Sequence, residues 1–487
     1  PKVEHVNDPL PITQKIANRL HQFKIFAIRD TLSKLSNTQY LYINLLEAPV
    51  LAFFISFMVK YYNVVTRENG AYTFYENQNI PVFFFMSVVV ALFFGLTLSA
   101  EEIFKDRKIL KREQFLHLSR TGYLFSKIAV LFTISAFQTF LFILVGHFVL
   151  EIPLTEVRYW LILFSVACFA NVLGLNISAS FNSAVTIYIL IPILIIPQLL
   201  LSGVVIEFDK FNPRVTKPIG VPLMGNIMAS RWAFEAYMVT QYKDNPFEKQ
   251  FYELDKIVAQ SEYKRIYLIP ELESKLSYCM VNRAQWRNVN HQGIKNSLLI
   301  LQNEITNELT QIGGSSFDDL NKLAVGRFDS TVYVSTQQFL STIKNVYLLR
   351  QNKAMKELEL LKESMTDTPQ KRAAYDKMRN TYQNKSVADA VRNINTMHRI
   401  VEYDGKLIQK LYPIYMDEHK PRYWFDFSAN LYQPTKHFAG YTIDTLYFNI
   451  AVIWSMTLAF YVLLYFDGLR KVIQMIENRR YRRVDKS

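Results

Sequence analysis

Six runs of this 487-residue sequence are long and apolar enough to cross a bilayer as helices, for which about 20 residues each are needed. They lie near Leu41–Met58, Pro81–Ala100, Leu124–Leu150, Trp160–Phe181, Ala184–Ile206 and Thr445–Phe466, and none contains Asp or Arg. Glu47 and Lys127 sit near run ends, where long side chains are expected to reach the interface. Tyr40, Tyr42, Tyr61, Tyr62, Tyr159, Trp160 and Tyr465 flank the runs as an interfacial aromatic belt would. Whole-chain composition hides this: 50% hydrophobic and 20% charged residues is an average over apolar spans and a polar remainder. Gly (15), Pro (17) and Cys (2) are too few for a collagen-like, disordered or disulfide-stapled chain.

The charge balance, Lys+Arg 55 against Asp+Glu 42 or +13, suits either nucleic acid or an anionic membrane surface, and its distribution decides. Basic residues crowd residues 1–40, the connection between the second and third spans, and the tail 467–487. If six spans alternate, all three lie on one side, while the short opposite loops hold only Lys60, Arg67 and Arg158. The positive-inside rule then places both termini in the cytoplasm, with anionic lipids and not nucleic acid as the partner of this charge. Ile12–Leu35 reads as a basic amphipathic helix on the inner leaflet. The expected fold is an all-α polytopic membrane protein: a cytoplasmic amphipathic helix in 1–40, five spans in 41–206, an extracytoplasmic helical domain in 207–444, a sixth span in 445–466 and a basic cytoplasmic tail. Within 207–444, Gly313-Gly314 is expected to divide two halves. Helices are expected at Lys353–Glu363, stopped by Thr366–Pro369, and at Val387–Leu411, with Ser330–Ser335 the best short strand.

Catalytic signatures are missing. There is no G-x-x-x-x-G-K-[ST] phosphate loop, no H-E-x-x-H, no C-x-x-C and no G-x-S-x-G. His419 beside Asp417 and Glu418 reads as an exposed charged loop better than as a metal site. No catalytic, cofactor or metal residue is therefore assigned to this chain. Gln138, His147, Asn171, Asn176 and Gln198, polar groups inside spans, should face protein or a cavity, and Pro192 and Pro197 should kink the fifth span.

The informative stretches flank the spans. Ala100-Glu101-Glu102-Ile103-Phe104-Lys105 through Lys111-Arg112-Glu113 follows the second span, with Tyr123 and Ser126-Lys127 entering the third. Ser202-Gly203-Val204-Val205 ends the fifth, and Ser230-Arg231-Trp232-Ala233-Phe234-Glu235-Ala236 follows. In order and spacing these resemble the membrane domain of G-type ABC exporters, the ABC-2 superfamily. The resemblance implies a half-transporter that dimerises and exports a lipid-like, amphipathic or peptide substrate from a plasma membrane, the bacterial inner membrane being the expected one. It implies that 101–113 is the coupling helix, with Glu102, Arg112 and Glu113 at the ATPase contact. It implies an apolar plug at Val204 and Val205 and a substrate clamp at Phe93 or Phe94. ATP and Mg would sit on an ATPase domain, either upstream on a longer chain, as Pro1 in place of Met allows, or on a separate subunit. The sequence departs from the family in the length of 207–444, which leaves a second reading open: a membrane-anchored scaffold whose outer helical domain binds an extracytoplasmic protein partner.

Overall fold

The computed structural model describes residues 18–62, 72–112, 118–153, 157–214, 216, 220–282, 291–312, 316–416, 424, 426 and 429–484. Glu113, Gly313-Gly314 and the Asp417–His419 loop lie outside them.

The spans form because their side chains tolerate only an apolar surround, in which a helix satisfies its own backbone, and Pro49, Pro192 and Pro197 are accommodated within them. Helix α1 (Arg19–Ser36) precedes α2 (Thr38–Val59), α3 (Ile80–Ser99), the short α4 (Glu102–Arg112), α5 (Arg120–Leu150), α6 (Val157–Ser180) and α7 (Ala184–Leu200). After the 207–444 stretch, α16 (Thr445–Tyr465) completes the membrane set and α17 (Gly468–Val484) follows it. Among the described residues, five helices are long and apolar enough to cross a membrane. The sixth expected span is α7, apolar but 17 residues long. It stops at Leu200, short of the expected Ile206, because Gly203 takes a left-handed φ of 80° that turns the chain away.

The bundle is layered around α3 and α6, which run against each other over their length. Gly95 permits this approach: a Cβ there would stand 2.5 Å from the Ala167 carbonyl oxygen and 2.5 Å from the Ala170 Cβ. Small residues at such contacts let backbones close where lipid offers no hydrophobic drive. Helix α2 packs on α5, α16 on α6, and α1 lies along α5. The polar span residues face protein as expected. Asn171 donates to Ser135 Oγ at 2.8 Å, Asn176 to the Phe460 carbonyl at 2.9 Å and Gln138 to the Asn44 carbonyl at 3.1 Å. Gln198 accepts from the Ser230 backbone N–H at 3.1 Å, and His147 is fully buried among Phe83 and Tyr159.

The polar stretch is built from α8 (Leu223–Asn226), α9 (Ala229–Lys243), α10 (Tyr252–Tyr263), α11 (Ile269–Val281), α12 (His291–Ile312), α13 (Ser330–Thr366), α14 (Pro369–Tyr382) and α15 (Lys385–Arg392). Two antiparallel hairpins follow: β1 (Ile400–Tyr403) with β2 (Lys406–Gln409), and β3 (Thr435–Phe438) with β4 (Tyr441–Asp444). Two local expectations are corrected and a third is extended. Ser330–Ser335 is not a strand but the first turns of α13, capped by Asp329, whose side chain accepts the Val332 N–H. Lys353–Glu363 is only part of that 37-residue helix. Val387–Leu411 is not one helix: Asn393 turns left-handed at φ 50°, ending α15, and Asp404-Gly405, both at positive φ, close the β1–β2 hairpin.

Both ends of the stretch are anchored in the bundle. Helix α9 is buried from Ala229 to Tyr242, wedged against α3, α6 and α16. Asn384, capping α15, donates to the Phe74 and Asn77 carbonyls at 2.7 and 2.9 Å, and Val387 and Val391 join the same core as the spans. Farther out, α11, α12 and the first half of α13 enclose a separate core around Leu272, Leu301, Ile305 and Ile343.

Candidate functional site

Two places in this frame hold the residues singled out in the sequence. The first is the end of the bundle where α1, α4 and the start of α5 meet. The α4 backbone begins with two orphan N–H groups, of Ile103 and Phe104, and Ser178 Oγ at the end of α6 accepts both at 3.0 and 2.9 Å. Arg107 donates from α4 to the Ser178 and Ala179 carbonyls at 3.1 and 2.5 Å, giving α6 the cation its C-terminus favours. Helix α4 is thereby docked across the end of α6.

Its inner face enters an ion network centred on Lys127 of α5. Lys127 Nζ lies 2.5 Å from Asp30 of α1, 2.9 Å from Glu102 and 2.9 Å from Asp106 of α4. Lys34 of α1 bridges Asp30 and Glu102 at 2.7 and 2.9 Å, and the Tyr123 hydroxyl donates to Asp106 at 3.0 Å. Burial alone would raise the Asp30 pKa, but Lys127 and Lys34 outweigh it and hold the carboxyl below its usual range. Lys127 therefore does not reach for the interface; it is 5% exposed and pins three helices together. A desolvated cation against three carboxylates is costly to break, because each partner left behind would be an unpaired buried charge. Of the residues assigned to the ATPase contact, Glu102 faces this network and Arg112 is exposed at the far end of α4. Lys105, Lys108 and Lys111 are exposed with Arg112, a basic outer face. Sequence reading missed Asp30, Asp106 and Ser178, whose only signal was a carboxylate or hydroxyl, and Lys34, which looked like any other basic residue of 1–40.

The second place is the opposite end, where α7 gives way to Ser202-Gly203-Val204-Val205. Ser202 Oγ donates to the Leu199 carbonyl at 2.7 Å and fixes the turn. A Cβ on Gly203 would strike the Phe208 ring at 2.5 Å, so the turn needs glycine for space as well as φ. Val204 packs partly buried on the bundle core, whereas Val205 is 57% exposed. Val204 lines a cavity of about 420 Å³ together with Val82, Phe234 and Met238 and with Asp389, Asn393 and Lys410. The two phenylalanines of the expected clamp separate, as neighbours on a helix must. Phe94 is 1% exposed and meets Phe142 edge-on, while Phe93 is 37% exposed.

Residues 21–242, from α1 to the end of α9, match the ABC-2 type transporter family. No curated protein matches the chain. Over those residues, less than half of the chain, it is similar to an ABC-2 membrane domain, which fits an all-α polytopic membrane protein.

Proposed function

From the similarity to an ABC-2 membrane domain over residues 21–242, we propose an ATP-driven exporter subunit that works as a pair with ATPase domains carrying ATP and Mg. The observation that carries this reading is the Lys127 network. A helix lying across the end of the bundle is welded by charge to a span and to α1, so a push on α4 moves α5 and α1 as one body. The exposed basic face Lys105, Lys108, Lys111 and Arg112 supports the ATPase contact, in the cytoplasm by the positive-inside rule. Coupling of this kind needs a contiguous rigid element with two arrangements, and a docked helix supplies the element.

At the other end, Val204 and Val205 serve as the apolar gate. Exclusion of water from such a constriction closes it without any polar latch. Phe93, the exposed member of its pair, is the side chain available to an amphipathic substrate. The cavity lined by Val204 carries both apolar and polar side chains, which suits release of the same class of molecule.

The test is reconstitution with the cognate ATPase. Vanadate-sensitive turnover is expected, and Lys127→Met should leave ATP hydrolysis while abolishing its coupling to transport. An assembly that never contacts a nucleotide-binding domain would overturn the reading and favour a scaffold.

A further inference from the structure

Where α9 begins, three charged side chains meet with at most 1% exposure: Arg231 and Glu235, one turn apart on α9, and Lys436 on β3. The Glu235 carboxylate is fully used. It accepts from Lys436 Nζ at 2.9 and 3.0 Å, from Asn449 Nδ2 of α16 at 2.9 Å and from the Tyr432 N–H at 3.1 Å. Arg231 reaches it with one Nη only, at 3.4 Å, and lies over the Trp232 ring at 3.9 Å. Arg231 Nε and its other Nη have no hydrogen-bond partner.

Two cations thus share one carboxylate, and the sum is one positive charge away from water. A buried charge without a counter-charge is among the costliest arrangements in a protein. The Trp232 face contributes attraction but no neutralising charge. Burial with Arg231 close by pushes Lys436 down to about 8, while both cations hold Glu235 below its usual range against burial. The shortage is therefore of negative charge, on the Arg231 side. We propose that Arg231 binds a small monovalent inorganic anion of the chloride class against the first turn of α9. A water molecule would satisfy the free N–H groups but not the charge. A lipid headgroup is too large for a group closed to solvent, and the start of a helix adds its own partial positive charge to the site. Such an ion ties α9, β3 and α16 together, at the joint between the 207–444 stretch and the spans. The inference does not depend on what the chain transports.

The experiment is thermal unfolding of the purified full chain in detergent, chloride replacing gluconate at constant ionic strength. A saturable rise of the midpoint is expected with chloride, reproduced by bromide, and lost in Arg231→Gln. Superimposable chloride and gluconate curves would overturn the proposal, as would an equal response to sulfate, which is general salting. An undiminished chloride response in Arg231→Gln would do the same. Should that variant not fold, a bromide-soaked crystal of the unaltered chain decides: an anomalous peak beside the Arg231 guanidinium supports the site, and its absence removes it.

Discussion

Single side chains carry much of what the spans cannot. Glu248 follows α9 and is buried at the joint with α14, accepting a hydrogen bond from Gln383. Burial and then the charge of Asp255 push its pKa up to about 7, from 4.5, against the opposing pull of Gln383, Arg392 and Lys362. Between those values the folded chain holds a proton that the unfolded chain has released. The stabilisation is whole below pH 4.5 and is lost as pH rises through 7. Glu248→Gln keeps the shape and never ionises. Thermal midpoints of variant and unaltered protein should agree near pH 4, and the variant should be more stable at pH 8 by on the order of 3 kcal/mol. Equal midpoints at both pH values would show that Glu248 ionises freely in the fold. No reading of the sequence singles out Glu248, because a lone glutamate in a polar segment looks solvated. Lys127 was visible as the one lysine inside an apolar run. Its destination was not, since the carboxylate of Asp30 lies 97 positions away.

At the scale of elements, the spans were legible because lipid imposes one requirement, twenty apolar residues, that the sequence states directly. The amphipathic α1 and charged α4 were legible through position and charge. Less legible was the segment 387–411, where apolar spacing suggested a helix while Asp404-Gly405 encoded a hairpin turn; the turn won, since two successive positive φ values cannot sit in a helix. What periodicity could not reveal at all is which helices touch. Helices α3 and α6 meet through Gly95, whose missing Cβ admits the Ala167 carbonyl. Neither that carbonyl nor the Ala170 methyl is a flexible end that can swing aside, so any side chain must push the helices apart. Gly95→Leu is expected to cost about 1–3 kcal/mol or more and to lower the unfolding midpoint in detergent. An unchanged midpoint would mean that α3 and α6 are not held at this distance.

For the whole molecule, the telling surface is α7. Only Ile187 and Ile191 of its 17 residues are buried, and it leans on α3 and α9 alone among the helices it touches substantially. Its outward face, Val185, Ile189, Ile193 and Ile196, is apolar and leads into the exposed Val205. Lipid would cover such a face as readily as protein, so exposure does not by itself distinguish a lone subunit from a pair. Position does. If Val204 and Val205 close a gate, they must meet their copies across a two-fold axis, and α7 must line that seam. The chain is well suited to the test, because its cysteines, Cys168 and Cys279, are both buried. A thiol placed at Val205 would be the accessible one. With a short bifunctional reagent in membranes, Val205→Cys should give a covalent dimer. Phe148→Cys, on an equally apolar and 79% exposed position of α5, which is not packed on α7, should not. Equal cross-linking at both positions would indicate random encounter in the bilayer. Failure at Val205 with success elsewhere would move the seam away from the gate, and with it the reading of Val204 and Val205 as a plug. It would leave the Lys127 network intact but without a pore for it to open.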